Sequence, residues 1–138
     1  MRHHRAVDRD RIEGGAAERR MRSRARELSA AVETLSTSSD RRAREAAATL
    51  LLAAPASEPV PAYAKALAEL DRARSCRSKK EIVVRLGEIG DDDALPYLRR
   101  LRDTPRNGCG FLGTRDCLGC LRDELETAYG ALGGETSH

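Results

Sequence analysis

Apolar residues recur along the chain at intervals of three and four positions, which is the spacing of one face of an α-helix. The clearest case surrounds Gly90. Ile82, Leu86 and Ile89 form one apolar stripe before it, and a second stripe begins at Leu95. Gly90 ends the first stripe at the position where a helix commonly closes in a left-handed conformation, which costs glycine nothing. The pattern predicts a helical hairpin with its turn at Gly90.

The polar residues after this turn are suited to the start of a second helix. Asp91, Asp92 and Asp93 offer carboxylate oxygens to the free N–H groups of a helix N-terminus, whose positive end favours their charge. Pro96 is tolerated in the first turn of a helix, where its missing N–H has no helical partner to lose. The second helix is therefore predicted to start at Asp92 or Asp93.

Similar breaks divide the rest of the chain into helical segments. The polar runs at 36–40 and 55–59 each end one apolar stripe before the next begins. We predict a disordered basic arm over residues 1–15, followed by a single helical domain over 16–138. That domain comprises a basic helix over 16–35, hairpins over about 41–74 and 76–103, and a cysteine-rich loop with a last helix over 104–132.

Composition favours an all-α fold. Aromatic residues make up 3% of the chain, so the core must consist of many small aliphatic contacts, whereas a β-sandwich would require more β-branched and aromatic residues. Twenty-five basic residues against 22 acidic ones give a net charge of +3, and this balance argues against nucleic acid as a partner. No apolar run approaches the roughly 20 residues that span a bilayer, and the charged first residues lack the core of a signal peptide. The sequence thus predicts a cytoplasmic protein with reduced cysteines.

The four cysteines are candidate metal ligands. Cys117 and Cys120 are three positions apart at a predicted helix N-terminus, where the helix dipole favours thiolate. Cys109 lies in a glycine-flanked turn and Cys76 opens the second hairpin, so a fold could bring all four sulfurs together. This pattern predicts a structural zinc site. Two alternatives stay open: small buried thiols that pack a tight corner, and a disulfide such as Cys109–Cys117, which a reducing cytosol disfavours.

The two hairpins are similar to each other and to a known repeat. A shift of 34 residues places Tyr63 on Tyr97 and Leu67 on Leu101. The second hairpin resembles a HEAT-like repeat of the bacterial and phycobilisome-lyase type, in the run Arg77-x4-Ile82-x3-Leu86-Gly87-x-Ile89-Gly90-Asp91-x2-Ala94-Leu95-Pro96-x-Leu98. The resemblance implies antiparallel helix pairs stacked into a short α-solenoid, closed by the N-terminal basic helix and a C-terminal capping helix.

A longer resemblance covers roughly residues 28–132. This part is similar to the C-terminal helical region of large serine/threonine protein kinases from myxobacteria-like bacteria, through Leu70-x5-Cys76-x13-Gly90-Asp91-x2-Ala94-Leu95-Pro96, Gly108-Cys109-Gly110, Asp116-Cys117-x2-Cys120-Leu121-Arg122 and Leu125. The motifs of the kinase domain itself do not occur in the sequence. The resemblance implies a module of bacterial signalling associated with a kinase, without phosphoryl transfer by this chain alone.

Candidate catalytic residues are few. The three histidines, His3, His4 and His138, lie at the ends of the chain, so none is placed inside the predicted fold as a general base. We therefore predict a non-catalytic helical protein-interaction or scaffold module with a protein partner, such as a kinase. The sequence indicates no oligomeric state. The alternative is binding of nucleic acid or an anionic surface through an arginine-rich helix face, which consists of Arg19, Arg20, Arg22, Arg24 and Arg26.

Overall fold

The fold is that of a computed structural model, which describes the backbone of residues 2–135 and the side chains of residues 14–135. Helices hold most of the described residues, so the predicted all-α class is confirmed. An antiparallel pair of two-residue strands, β1 (Gly108–Cys109) and β2 (Arg115–Asp116), lies between the last two helices. The α-helices within this range are α1 (Arg2–Thr37), α2 (Arg41–Ala53), α3 (Ala62–Arg72), α4 (Cys76–Ile89), α5 (Leu95–Arg102) and α6 (Arg122–Ala131).

Successive helices alternate in direction. The ends of α1, α3 and α5 therefore meet the starts of α2, α4 and α6. At this end Arg44 of α2 forms an ion pair with Asp71 of α3 at 3.4 Å, and Arg100 of α5 donates to the carbonyl of Leu35 in α1. We call it the hairpin end of the bundle, because β1 and β2 follow directly from the end of α5 there.

The helices enclose a common core. Helix α1 packs on α2, α2 on α3, α3 on α4, α4 on α6, α6 on α5, and α5 on α1, so the order of neighbours closes on itself. In an α-solenoid each unit contacts only the units next to it in sequence. The predicted solenoid of HEAT-like hairpins is therefore not confirmed, since α4 packs mainly on α3 and α6. The largest fully buried side chains are Tyr129, Leu35, Leu51, Leu67, Leu86, Leu98, Leu121, Leu125 and Val83.

The predicted turn at Gly90 is confirmed. Gly90 has a left-handed backbone with a φ of 73°, and its N–H donates to the carbonyl of Leu86 at 3.2 Å. The carboxylate of Asp91 then accepts the N–H of Asp93 at 3.0 Å. The chain becomes helical at Asp92, as predicted, but its first turn is a 3-10 turn over Asp92–Ala94. Helix α5 follows from Leu95, with Pro96 in its first turn.

Two predicted boundaries differ from the structure. Helix α1 begins at Arg2, so the segment 1–15 that was predicted as a disordered arm is helical from Arg2 onward. Charged residues and alanine are compatible with a helix, and the pair of glycines at 14–15 does not interrupt it. The last helix was predicted from residue 117 but begins at Arg122, because the residues before it form a turn and a 3-10 segment, Gly119–Leu121.

A buried guanidinium connects the C-terminal elements. Arg122 is 7% exposed and donates two hydrogen bonds to the Asp116 carboxylate, at 2.9 and 3.0 Å. It also donates to three backbone carbonyls where α5 ends, those of Leu101, Arg102 and Thr104. Carbonyls at the C-terminus of a helix have no donor from a following helical turn. The Leu101 carbonyl also accepts the N–H of Thr104, and Arg122 adds a charged donor to this end of α5.

Replacement of the Arg122 guanidinium should lower the free energy of unfolding. Arg122→Met removes the hydrogen bonds from the guanidinium to the Asp116 carboxylate and to the end of α5, and the Leu118 N–H remains as a donor to Asp116. The free energy of unfolding should therefore fall by about 3 kcal/mol. Urea denaturation measures this loss. Arg77→Met is the matched control, because the pair between Arg77 and Glu81 is largely exposed and should contribute less than about 1 kcal/mol. Similar losses in the two variants would contradict the role given to Arg122.

The same contact makes stability depend on pH. The hydrogen bonds from Arg122 lower the pKa of Asp116 below its ordinary value. A carboxyl whose pKa is lower in the folded state stabilises the fold above its ordinary pKa, and this contribution is lost as the pH falls through the lowered value. Below about pH 4, the parent protein should therefore lose stability more steeply than Arg122→Met. Thermal melting at a series of acidic pH values tests this, and parallel acid profiles would contradict it.

Candidate functional site

A groove of about 450 Å³ runs along helix α1. Leu28 and Val32 of α1 form one wall, and Leu51 of α2 forms part of the floor. The opposite wall consists of Val60, just before α3, and Tyr63 in its first turn. Pro59 and Pro61 keep the segment before α3 out of a helix, since proline cannot continue one, and this holds the wall beside α1.

The groove remains open because α1 is packed on only one side. Leu28 and Leu35 are buried against the bundle, whereas Ala25 and Ser29 line the groove and are exposed. No other segment of the described chain covers this face. Ala25, Leu28 and Val32 follow one another at intervals of three and four positions, so apolar periodicity alone does not separate the buried Leu28 from the exposed Ala25.

The rim of the groove is acidic. Glu33 and Asp93 line it, and its lining includes no lysine or arginine. Burial raises the pKa of the Tyr63 phenol, and the nearby carboxylates of Asp93 and Asp91 raise it further. The hydroxyl of Tyr63 forms no hydrogen bond within the described part of the chain. The site therefore combines an apolar floor with negative charge and one available phenol group.

Beyond the groove, helix α1 continues away from the bundle. Residues 18–23 are all exposed, and no atom would lie within 4 Å of a Cβ added at Gly14. Contact with the bundle is made by Arg24, whose guanidinium binds Glu58 at 2.5 Å. Of the five arginines predicted as a binding face, Arg24 is thus engaged within the protein. The other four are exposed and form no ion pair among the described side chains: Arg19, Arg20, Arg22 and Arg26.

The prediction of a zinc site is wrong. All four predicted ligands lie at the hairpin end, where they form two disulfides. Cys76–Cys120 joins the start of α4 to the turn before α6, with Cα atoms 6.4 Å apart. Cys109–Cys117 closes the β1–β2 hairpin, with Cα atoms 5.1 Å apart. Zinc requires free thiolates, and the structure contains no free cysteine.

The cause of this error lies in the local backbone. Cys120 falls in a 3-10 turn and Cys117 in the turn before it, so the two sulfurs do not share the face of a helix N-terminus. The alternative disulfide Cys109–Cys117 is confirmed. The expectation of reduced cysteines is wrong, as is the prediction of a zinc site.

The described helices include none that is long and apolar enough to cross a membrane. The histidines lie outside the described side chains.

The two disulfides should differ in their contribution to stability. Cys76–Cys120 spans 44 residues and Cys109–Cys117 spans 8. Because a crosslink restricts the unfolded chain more when its loop is longer, Cys76→Ser with Cys120→Ser should lower the free energy of unfolding by about 4 kcal/mol. Cys109→Ser with Cys117→Ser should lower it by about 2.5 kcal/mol. Urea denaturation of both double variants tests the order, and the reverse order would contradict it.

Alkylation without a reductant should label no cysteine in the parent.

Comparisons with known proteins give no relative. No family model, no curated protein and no solved structure matches this chain. The resemblance to HEAT-like repeats and to the C-terminal regions of kinases stays a prediction.

Proposed function

We propose that this protein is a non-catalytic helical interaction module, and that the groove along α1 receives an amphipathic helix of a partner protein. The observation that carries the proposal is an apolar floor with an acidic rim that no described part of the chain covers. Grooves of this kind bind helices through apolar side chains spaced three and four positions apart.

The dimensions of the groove suit such a partner. Its volume of about 450 Å³ falls within the range of about 300–1,000 Å³ for sites that enclose a small ligand, so it has room for several side chains of one helix face. The partner helix would lie beside α1 and place its apolar residues against Leu28, Val32 and Tyr63. This packing would complete the burial of α1, which the bundle covers on one side only.

The charge of the rim selects among amphipathic helices. Glu33 and Asp93 would face the residues that flank the apolar stripe of the partner, so lysine or arginine is favoured there. Complementary charge of this type speeds association and excludes acidic competitors, because like charges at an interface are costly. The Tyr63 hydroxyl offers one hydrogen bond at the edge of the contact, as tyrosines at interfaces commonly do.

Two further parts of the function remain proposals. Association with a serine/threonine kinase rests on the sequence resemblance alone, and a kinase region that docks here would need the basic amphipathic helix just described. The disulfides favour a non-reducing compartment, which argues against the cytoplasmic location predicted from the sequence.

The alternative function, binding of an anionic surface by α1, is favoured by one observation. Arg19, Arg20 and Arg22 lie on the stretch of α1 that is exposed beyond the bundle. Binding of nucleic acid is less favoured, because no aromatic side chain occurs there to stack on a base. Binding through these arginines would weaken steeply with added salt, whereas binding in the apolar groove would weaken less.

Peptide binding tests the groove. The probe is a fluorescent amphipathic peptide with leucine on one face and lysine on the other, compared with the same peptide carrying glutamate in place of lysine. The lysine peptide should bind and the glutamate peptide should not. Ala25→Arg should weaken binding at least about tenfold, a loss of about 1.4 kcal/mol, because it places bulk and positive charge in the groove. Fluorescence anisotropy measures both affinities.

The matched control is Ala30→Arg, which adds the same side chain at an exposed position of α1 outside the groove lining. This variant should bind like the parent. Equal weakening by the two substitutions, or equal binding of the two peptides, would mean that the groove is not the binding site.

A further inference from the structure

The tip of the β1–β2 hairpin exposes the two most solvent-accessible large apolar side chains of the described structure. Phe111 is 85% exposed and Leu112 is 82% exposed, compared with 70% for Met21. Phe111 is also the one phenylalanine in the sequence. Exposed apolar groups gain nothing from folding, and adjacent ones at a loop tip commonly mark an interaction site.

The backbone holds this tip in a fixed shape. Leu112 has a left-handed backbone with a φ of 61°, a conformation that is unfavourable for a residue with a branched side chain. Gly110 has a φ of 74°, and a Cβ at this position would come within 2.7 Å of Arg115. The Thr114 hydroxyl donates to the carbonyl of Phe111 at 3.1 Å. Cys109–Cys117 closes the base. Residues kept in such strained conformations concentrate at functional sites.

Cations flank the apolar tip. Arg115 lies on β2, is exposed, and forms no ion pair among the described residues. Arg106 precedes β1 and its side chain is 68% exposed, with Asp116 at 3.9 Å as its partner. Asp116 is already bound by Arg122, so the carboxylate near the hairpin does not neutralise both arginines.

A basic cleft lies at the same end of the bundle. It has a volume of about 930 Å³ and opens between the starts of α2 and α4 and the end of α3. Both of its carboxylates are already engaged, since Glu45 pairs with Arg41 and Asp71 accepts from Arg44 and from the Tyr97 hydroxyl. Cys76–Cys120 ties the start of α4 to the segment that follows the hairpin. The cations of the cleft are Arg41, Arg44, Arg72, Arg74 and Lys79.

We propose that the hairpin end docks on an anionic lipid surface. Phe111 and Leu112 enter the boundary between headgroups and acyl chains, and Arg106 and Arg115 contact lipid phosphates. One weak signal gives marginal attachment to a membrane, whereas an apolar anchor combined with a basic patch gives stable attachment. Because the tip is already ordered, insertion costs little conformational entropy. An apolar pocket in a partner protein would explain the exposed side chains of the tip but not the positive charge around it. An anionic lipid surface explains both.

Vesicle sedimentation tests this proposal, which is independent of the groove. The full chain should bind phosphatidylcholine vesicles that contain phosphatidylglycerol, should not bind phosphatidylcholine alone, and should dissociate as salt is added. Phe111→Ser with Leu112→Asn should weaken binding at least tenfold, and asparagine retains the left-handed backbone more readily than most residues. Met21→Ser with Val84→Ser is the matched control, because it removes two exposed apolar side chains elsewhere, and it should bind like the parent.

Three results would overturn the proposal: no binding of the parent to the anionic vesicles, equal binding to vesicles with and without phosphatidylglycerol, or an unchanged affinity of the tip variant. The last result would assign vesicle binding to arginines alone. Thermal melting of each variant verifies its fold, which exposed substitutions should leave intact.

Discussion

The hydrogen bonds of Arg122 determine how the last third of the chain is arranged. The carbonyl groups at the end of α5 accept hydrogen bonds from Arg122, and so does the Asp116 carboxylate at the end of the β1–β2 hairpin. A single guanidinium serves both, at 8% side-chain exposure, and its own residue begins α6. The position of α6, which closes the ring of helices between α4 and α5, therefore depends on this contact. The disulfides add covalent links to an arrangement that already has its own polar anchor.

Local features of the fold were predictable because they depend on neighbouring residues. Asp40 ends the polar run 36–40, which was predicted to separate two helices, and its carboxylate accepts the N–H of Arg42 in the first turn of α2. Gly90 was predicted as a turn because glycine adopts a left-handed backbone at no cost. The closure of the helix ring was not predictable in this way, because it depends on which faces meet across long stretches of chain. Apolar spacing shows that a face is buried but does not identify the helix that covers it.

The candidate sites illustrate the same limit. Four cysteines with one Cys-x2-Cys pair were compatible with zinc or with disulfides, and the sulfurs were paired by a 3-10 turn that the sequence pattern did not reveal. Val32 and Tyr63 lie in apolar stripes, yet they line an open groove because nothing packs beyond them. The segment from Gly108 to Gly113 is rich in glycine, and its chemistry became clear only from the outward direction of Phe111 and Leu112.

The two crosslinks are nested, since the ring closed by Cys109–Cys117 lies inside the larger ring closed by Cys76–Cys120. A protease that cuts any peptide bond between residues 76 and 120 therefore releases no fragment. After a cut at the tip of the hairpin, both disulfides still join the two pieces. After a cut that follows Arg106, Cys76–Cys120 alone joins them. The most accessible loop of the molecule can thus be nicked while α6 remains covalently attached to α4.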